Sequence, residues 1–239
     1  MNELQFITRE NAETLEQIGP DLAETYKIAF AGPPWNEVSQ CPSTNCATGL
    51  TEYDVGCACP NCSSQLVEAY NSDELIETWQ TIIAEENGYM EVAYKGGLPQ
   101  RATIARPTDA SELFSRKYAS VPEMLPWLEN RLREPFVWIE DTFANRERQA
   151  TGNLTARGET LERIATFYGG MQIATRTLSP AIISATLRDV RPSSTVYIGS
   201  ANVGADIVNR AFNNPGYELP TVPDKRTLLI INQITRTRA

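Results

Sequence analysis

The run Phe136-Val137-Trp138-Ile139-Glu140-Asp141-Thr142-Phe143 is the clearest strand in the chain. It is dense in aromatic and β-branched residues, the types that pack well on a pleated surface. The residues after it set the architecture. Residues 145–153 form a polar turn with two arginines, and residues 154–168 place Leu161, Ile164, Ala165 and Tyr168 on one helical face. Gly169-Gly170 stops that helix, and residues 171–177 read as another strand. A strand, a turn, a helix and a strand in that order indicate an α/β chain.

Similar patterns lie on both sides of this stretch. Residues 5–8 read as a short first strand, and Asn11 is placed to cap a helix whose apolar positions are Leu15, Ile18, Leu22, Tyr26 and Ala29. Gly32-Pro33-Pro34 ends that helix and leads into Trp35-Asn36-Glu37, an aromatic and a carboxylate on a proline-stiffened turn. Asp73 is placed to cap a helix over 74–86 with Leu75, Ile76, Trp79, Ile82 and Ile83 on one face. Asn87-Gly88 turns into a strand over 89–95, and Gly96-Gly97 reads as a hairpin turn to a partner strand over 101–106. Short helices over 109–119 and 122–132 precede the run at 136. Ser179-Pro180 opens a further helix to about 187, and 196–199 and 227–234 are late strands. The expected fold is mixed α/β, a single central sheet with helices on both faces. It spans 1–239 as one domain with an insertion at about 38–66.

Composition narrows the function. Acidic residues outnumber basic ones, 30 against 21, for a net charge of −9 over 239 residues. Such a field repels nucleic acid and anionic membranes, and mildly favours cationic partners such as amines. No apolar run approaches the ~20 residues of a membrane span. The first residues have neither a basic start nor an apolar stretch, so the expected location is the cytoplasm. Histidine is absent, which removes Ser-His-Asp and Cys-His catalysis and leaves a general base to Asp, Glu, Tyr, Lys or water.

The order of elements, with the residues from 136 to 187, resembles the GNAT superfamily of acetyltransferases. In that family the fourth strand is followed by a loop of pattern Gln/Arg-x-x-Gly-x-Gly/Ala and then a helix. The matching run here is Gln149-Ala150-Thr151-Gly152-Asn153-Leu154, with Leu154 where glycine or alanine is usual. The turn Pro33-Pro34-Trp35-Asn36-Glu37 also looks like the one after the first helix of some members. The resemblance implies acetyl-CoA as co-substrate, its pyrophosphate cradled by Gln149 to Leu154 and the helix N-terminus. It implies the backbone of Asp141, Thr142, Phe143 and Ala144 against the pantetheine arm and thioester. It implies Trp35, Asn36 and Glu37 on the acceptor side, facing a small-molecule or peptide amine.

Direct attack by an amine needs a group to take its proton. Glu140 and Asp141 are adjacent on one strand, so their side chains point to opposite faces. Glu140 is the preferred base and Asp141 the second, against the reading that both are solvated or salt-bridged strand-end carboxylates. Arg146, Arg148 and Arg157 flank the loop, either as phosphate partners or as a solvated face. The residues 179–188 hold no tyrosine, the residue that family members often use there to protonate the leaving thiolate.

All five cysteines fall in one segment, Cys41-x4-Cys46 and Cys57-x-Cys59-x2-Cys62. In a cytoplasmic chain this pattern points to metal before disulfides. A closed structural zinc site takes four thiolates, so one cysteine is spare. Cys57 or Cys59 is the expected one, because a single intervening residue is tight for two ligands. Free or redox-sensitive thiols, or disulfides, are the other readings of the segment. The expected activity is acetyl transfer to a primary amine. The alternative is a non-catalytic relative of the same fold that senses a cofactor or binds a protein through the zinc segment. Oligomeric state is left open.

Overall fold

The computed structural model describes residues 3–32, 35–119, 122, 124–130, 132–145, 155–177, 191–192, 197–199, 227–231 and 234–235, with backbone alone at 127, 155–158 and beyond 175. The expected helix at 179–187 lies outside the described residues. The chain divides into two compact units: Met1–Ile104 with Asp141–Gly152, and Ala105–Glu140 with Asn153–Ala239. The fold is mixed α/β, as expected.

In the first unit β1 (Glu3–Ile7), β5 (Tyr89–Lys95), β6 (Leu98–Thr108) and the end of β7 (Phe136–Ala144) lie side by side in that order. β1 runs antiparallel to β5, Glu3 opposite Tyr94 and Ile7 opposite Met90. Residues 89–94 are all buried. Successive side chains of a strand alternate between faces, so both faces of β5 are covered. The hairpin between β5 and β6 turns on Gly96 and Gly97, both at positive φ, where a side chain is strained.

Helix α1 (Thr14–Phe30) presents Leu15, Leu22, Ala23, Tyr26, Ala29 and Phe30 to a core shared with Trp79, Ile82 and Ile83 of α2 (Ser72–Ala84). Two caps differ from expectation. The Asn11 side chain accepts the Thr8 N–H at 2.8 Å and closes a 3-10 turn, Arg9–Asn11, so the α-helix starts later. Asn71 rather than Asp73 caps α2, accepting from the N–H groups of Asp73 and Glu74. Its carboxamide reaches those two orphan donors, whereas Asp73 already lies inside the first turn.

The first unit also contains a three-stranded sheet that the sequence pattern does not reveal: β2 (Ser39–Gln40) between β3 (Leu50–Thr51) and β4 (Val67–Glu68), both antiparallel to it. A further small pair, β9 (Arg191–Pro192) with β12 (Ile234–Thr235), likewise departs from the expected single sheet.

In the second unit the start of β7 is followed by β8 (Ile173–Thr177), β11 (Thr227–Ile231) and β10 (Tyr197–Gly199). β8 with β11 and β11 with β10 are antiparallel. The β7–β8 pair is parallel, with Val137, Trp138 and Ile139 opposite Ile173, Ala174 and Thr175. A parallel neighbour needs a crossover, and α5 (Thr155–Phe167) supplies it. Helices α3 (Ala110–Lys117) and α4 (Met124–Glu129) pack Leu113, Met124 and Leu128 with Phe136 and Trp138. Asp109 caps α3 by accepting the Glu112 N–H at 2.7 Å. Among the described residues no helix is long and apolar enough to cross a membrane.

Gly88 sits where the chain leaves α2 for β5. A Cβ there would lie 2.1 Å from the Ile82 carbonyl oxygen and 2.8 Å from the Ile83 Cα. Both are backbone atoms and cannot swing aside. Gly88→Ala is therefore expected to cost about 2 kcal/mol or more, read as a lower urea midpoint against wild type. An unchanged midpoint would contradict this packing.

Candidate functional site

Strand β7 carries the two carboxylates expected to act as base, and they differ sharply. Glu140 has a side chain only 6% exposed and is surrounded by cations. Arg106 Nε donates to its Oε1 at 3.0 Å, Lys117 Nζ stands 3.3 Å from its Oε2, and Arg116 donates to Oε1 as well. Glu112 joins the same network, 3.4 Å from Arg106 and 3.3 Å from Arg116, and accepts the Thr108 hydroxyl. Burial alone would raise the Glu140 carboxyl, but Lys117, Arg116 and Arg106 outweigh it and pull the group to about 2. A carboxylate held that low is a poor proton acceptor at neutral pH. Glu140 is the anchor of an ion cluster that binds β7 to α3 and β6. Asp141, next along the strand, is half-buried.

On the expected acceptor side, the chain leaves α1 through a tight return. Trp35 and Asn36 N–H groups both reach the Gly32 carbonyl at 2.9 Å, and Glu37 N–H reaches the Phe30 carbonyl at 2.9 Å. Asn36 has φ of 51°, a left-handed conformation that asparagine tolerates better than most residues. The turn sets Trp35 against Phe30, ring centroids 5.1 Å apart, and brings the Glu37 carboxylate to the Tyr70 hydroxyl, which donates to it. Tyr70 was not anticipated. It lies 33 residues away along the chain, and no local pattern marks it. Its ring meets Tyr26 edge-on at 5.0 Å and Phe30 at 5.8 Å. Tyr26 in turn meets Phe143 of β7 at 4.9 Å. A continuous aromatic wall thus runs from Glu37 to the end of β7.

Of the residues expected to hold acetyl-CoA, Thr142, Phe143 and Ala144 are the end of β7. The Phe143 side chain is 2% exposed and packed in the core. Gln149, Ala150, Thr151, Gly152, Asn153 and Leu154 lie outside the described residues, as do Arg146 and Arg148.

Four of the five cysteines converge. The sulfurs of Cys41, Cys46, Cys59 and Cys62 all lie within 4.8 Å of one another. Cys57 is exposed and outside this group. The Thr48 hydroxyl and the N–H groups of Asn61 and Cys62 bring the Cys59 thiol down to about 6.

Because the folded Glu140 value lies below the ordinary 4.5, its ionisation contributes stability above about pH 4.5 that is lost as pH falls toward 2. The shift corresponds to about 3 kcal/mol. Glu140→Gln should lower stability at neutral pH and flatten the acid limb of a denaturation series against pH. A variant as acid-sensitive as wild type would contradict the assignment.

No known protein family and no curated protein matches the chain by sequence. Among solved structures, it is similar to an N-acetyltransferase from Staphylococcus aureus, 9% identical over 97% of both chains with a TM-score of 0.40. It is also similar to a polyamine N-acetyltransferase from Drosophila melanogaster that forms N-acetylagmatine, 13% identical over 99% of this chain and 100% of that one, TM-score 0.44. A third is an agmatine N-acetyltransferase mutant in its apo form, 13% identical over 99% of both, TM-score 0.41. Similarity at this level does not transfer activity, substrate or residue roles.

Proposed function

We propose that the chain is an acetyl-CoA-dependent N-acyltransferase acting on an amine. The observation that carries the proposal is the parallel β7–β8 pair within a largely antiparallel sheet, with α5 as the crossover between the two strands. A loop that runs into a helix N-terminus offers backbone N–H groups and a favourable dipole to phosphate. The run Gln149 to Leu154, which precedes α5 in the sequence, is proposed to meet the co-substrate in that way.

Each role rests on a position in the fold. The β7 backbone at Asp141 to Ala144 polarises the thioester carbonyl and stabilises the charge growing on its oxygen. Asp141 takes the proton from the attacking nitrogen, now that Glu140 is committed to its cations. The amine forms a C–N bond to the acyl carbon as the C–S bond breaks, and the coenzyme leaves as a thiolate that picks up a proton. Glu37 presents a carboxylate that the Tyr70 hydroxyl holds in place, and its charge attracts the cationic amine before it is deprotonated. Holding the amine in line with the thioester supplies much of the remaining acceleration. The cysteine segment belongs to the same reading as a structural zinc site that takes no part in the transfer.

The test is release of free thiol from acetyl-CoA by the purified chain with a panel of primary amines and diamines. Asp141→Asn is expected to lower kcat by about 10²-fold or more, with restoration toward high pH where the amine is already neutral. Glu37→Gln should mainly raise KM for the amine, by about tenfold. No thiol release with any amine of the panel, although acetyl-CoA binds, would favour the non-catalytic alternative.

A further inference from the structure

Among residues 39–68 only Ser39, Cys59 and Leu66 are buried. A segment with so little apolar burial does not hold one shape unaided. Yet its backbone is closely tied: Cys41 N–H to the Gly49 carbonyl at 3.1 Å, Gly56 N–H to Leu66 at 2.8 Å, Cys59 N–H to Ser64 at 2.8 Å and Leu66 N–H to Cys57 at 2.8 Å. These ties meet at the four sulfurs. Cys41 and Cys62 are 3.5 Å apart, and Cys46 and Cys59 are 3.6 Å apart. Disulfide sulfurs stand at about 2.05 Å, so neither pair is bonded. Sulfurs on a zinc tetrahedron with bonds of about 2.3 Å are about 3.8 Å apart, close to the spacing found. Residues 28–94 contain no lysine or arginine, so within that stretch only a metal cation balances four thiolates.

The strands of this segment also reach the acceptor side. Val38, next to Glu37, donates its N–H to Thr51 at 2.9 Å and accepts the Ala69 N–H at 3.3 Å. β2 then pairs with β3 through Ser39 and Thr51, and with β4 through Ser39 and Glu68. Tyr70 comes two residues after β4. Glu68 is held to α1 by Lys27 at 3.0 Å. Glu37, two residues before β2, and Tyr70, two residues after the antiparallel β4, thus lie at the same end of one small sheet, and Cys41 follows β2 at the other.

We infer that Cys41, Cys46, Cys59 and Cys62 bind one zinc ion, and that this metal, acting through β2 and β4, is the positioning device that holds the Glu37 carboxylate against Tyr70. Cys57 takes no part. The metal site stands independently of acyl transfer; its consequence for an amine rests on the proposed function.

The experiment is elemental analysis and native mass spectrometry of the full chain, with hydrogen exchange before and after chelation. One zinc per chain is expected in wild type and in Cys57→Ser, and none in Cys59→Ser or Cys41→Ser. On chelation the amides of Val38 and Ala69 should exchange at least about tenfold faster while Val92 of β5 keeps its protection, the signature of local rather than global opening. Cys57→Ser losing zinc as fully as Cys59→Ser would overturn the ligand set. Iron in place of zinc would overturn the metal. Unchanged exchange at Val38 and Ala69 in the metal-free chain would overturn the coupling. None of these readouts uses acetyl-CoA, so failure of the enzymatic reading leaves them intact.

Discussion

A buried carboxylate among three cations is the constraint on which β7 depends. Glu140 is withdrawn from water by the same packing that buries Phe136 and Trp138, and an uncompensated charge there would cost several kcal/mol. Arg106 on β6 and Arg116 and Lys117 on α3 supply the compensation, so the middle of β7 is fixed from two elements at once. The charges cannot rearrange without leaving one of them buried and unpaired. That rigidity suits a strand whose last residues, Asp141 to Ala144, are proposed to offer backbone groups at set positions. The interactions that fix Glu140 are also those that hold its proton affinity low.

The parts of the fold that were legible in the sequence are those set by local physics. Residues 89–95 with Gly96-Gly97 read as strand and hairpin because an apolar run is closed by two residues that accept positive φ. The periodic faces of α1 and α2 were visible as well. Their N-termini were not, since a cap depends on which nearby orphan N–H a side chain reaches: Asn11 turned to Thr8, and Asn71 outcompeted Asp73. The small sheet β2–β3–β4 escaped notice because two-residue strands have no periodicity to detect.

The candidate site divides in the same way. Glu37 and Trp35 are legible as a carboxylate and an aromatic on a stiff turn, and the cysteine spacing marks the segment where four sulfurs converge. Which cysteine is spare was a question of three dimensions. Cys57 and Cys59 are equally plausible from spacing, and only the fold buries Cys59 with the other sulfurs and leaves Cys57 exposed. The fate of Glu140 was likewise hidden, because its partners Arg106 and Arg116 lie 34 and 24 residues away. Tyr70 belongs to the same class of long-range partners. Within the first unit the aromatic wall of Tyr26, Phe30, Tyr70 and Phe143 links Glu37 to the end of β7 through ring contacts of 4.4 to 5.8 Å.

The proposed acyl transfer stands or falls with binding of acetyl-CoA by the run Gln149 to Leu154. A calorimetric titration of the co-substrate into wild type and Gly152→Trp decides it. Saturable one-to-one binding by wild type, abolished in the blocked variant while the fold is retained, is the predicted result. Absence of binding by the metal-loaded wild type at millimolar acetyl-CoA, or equal binding by both proteins, would contradict it.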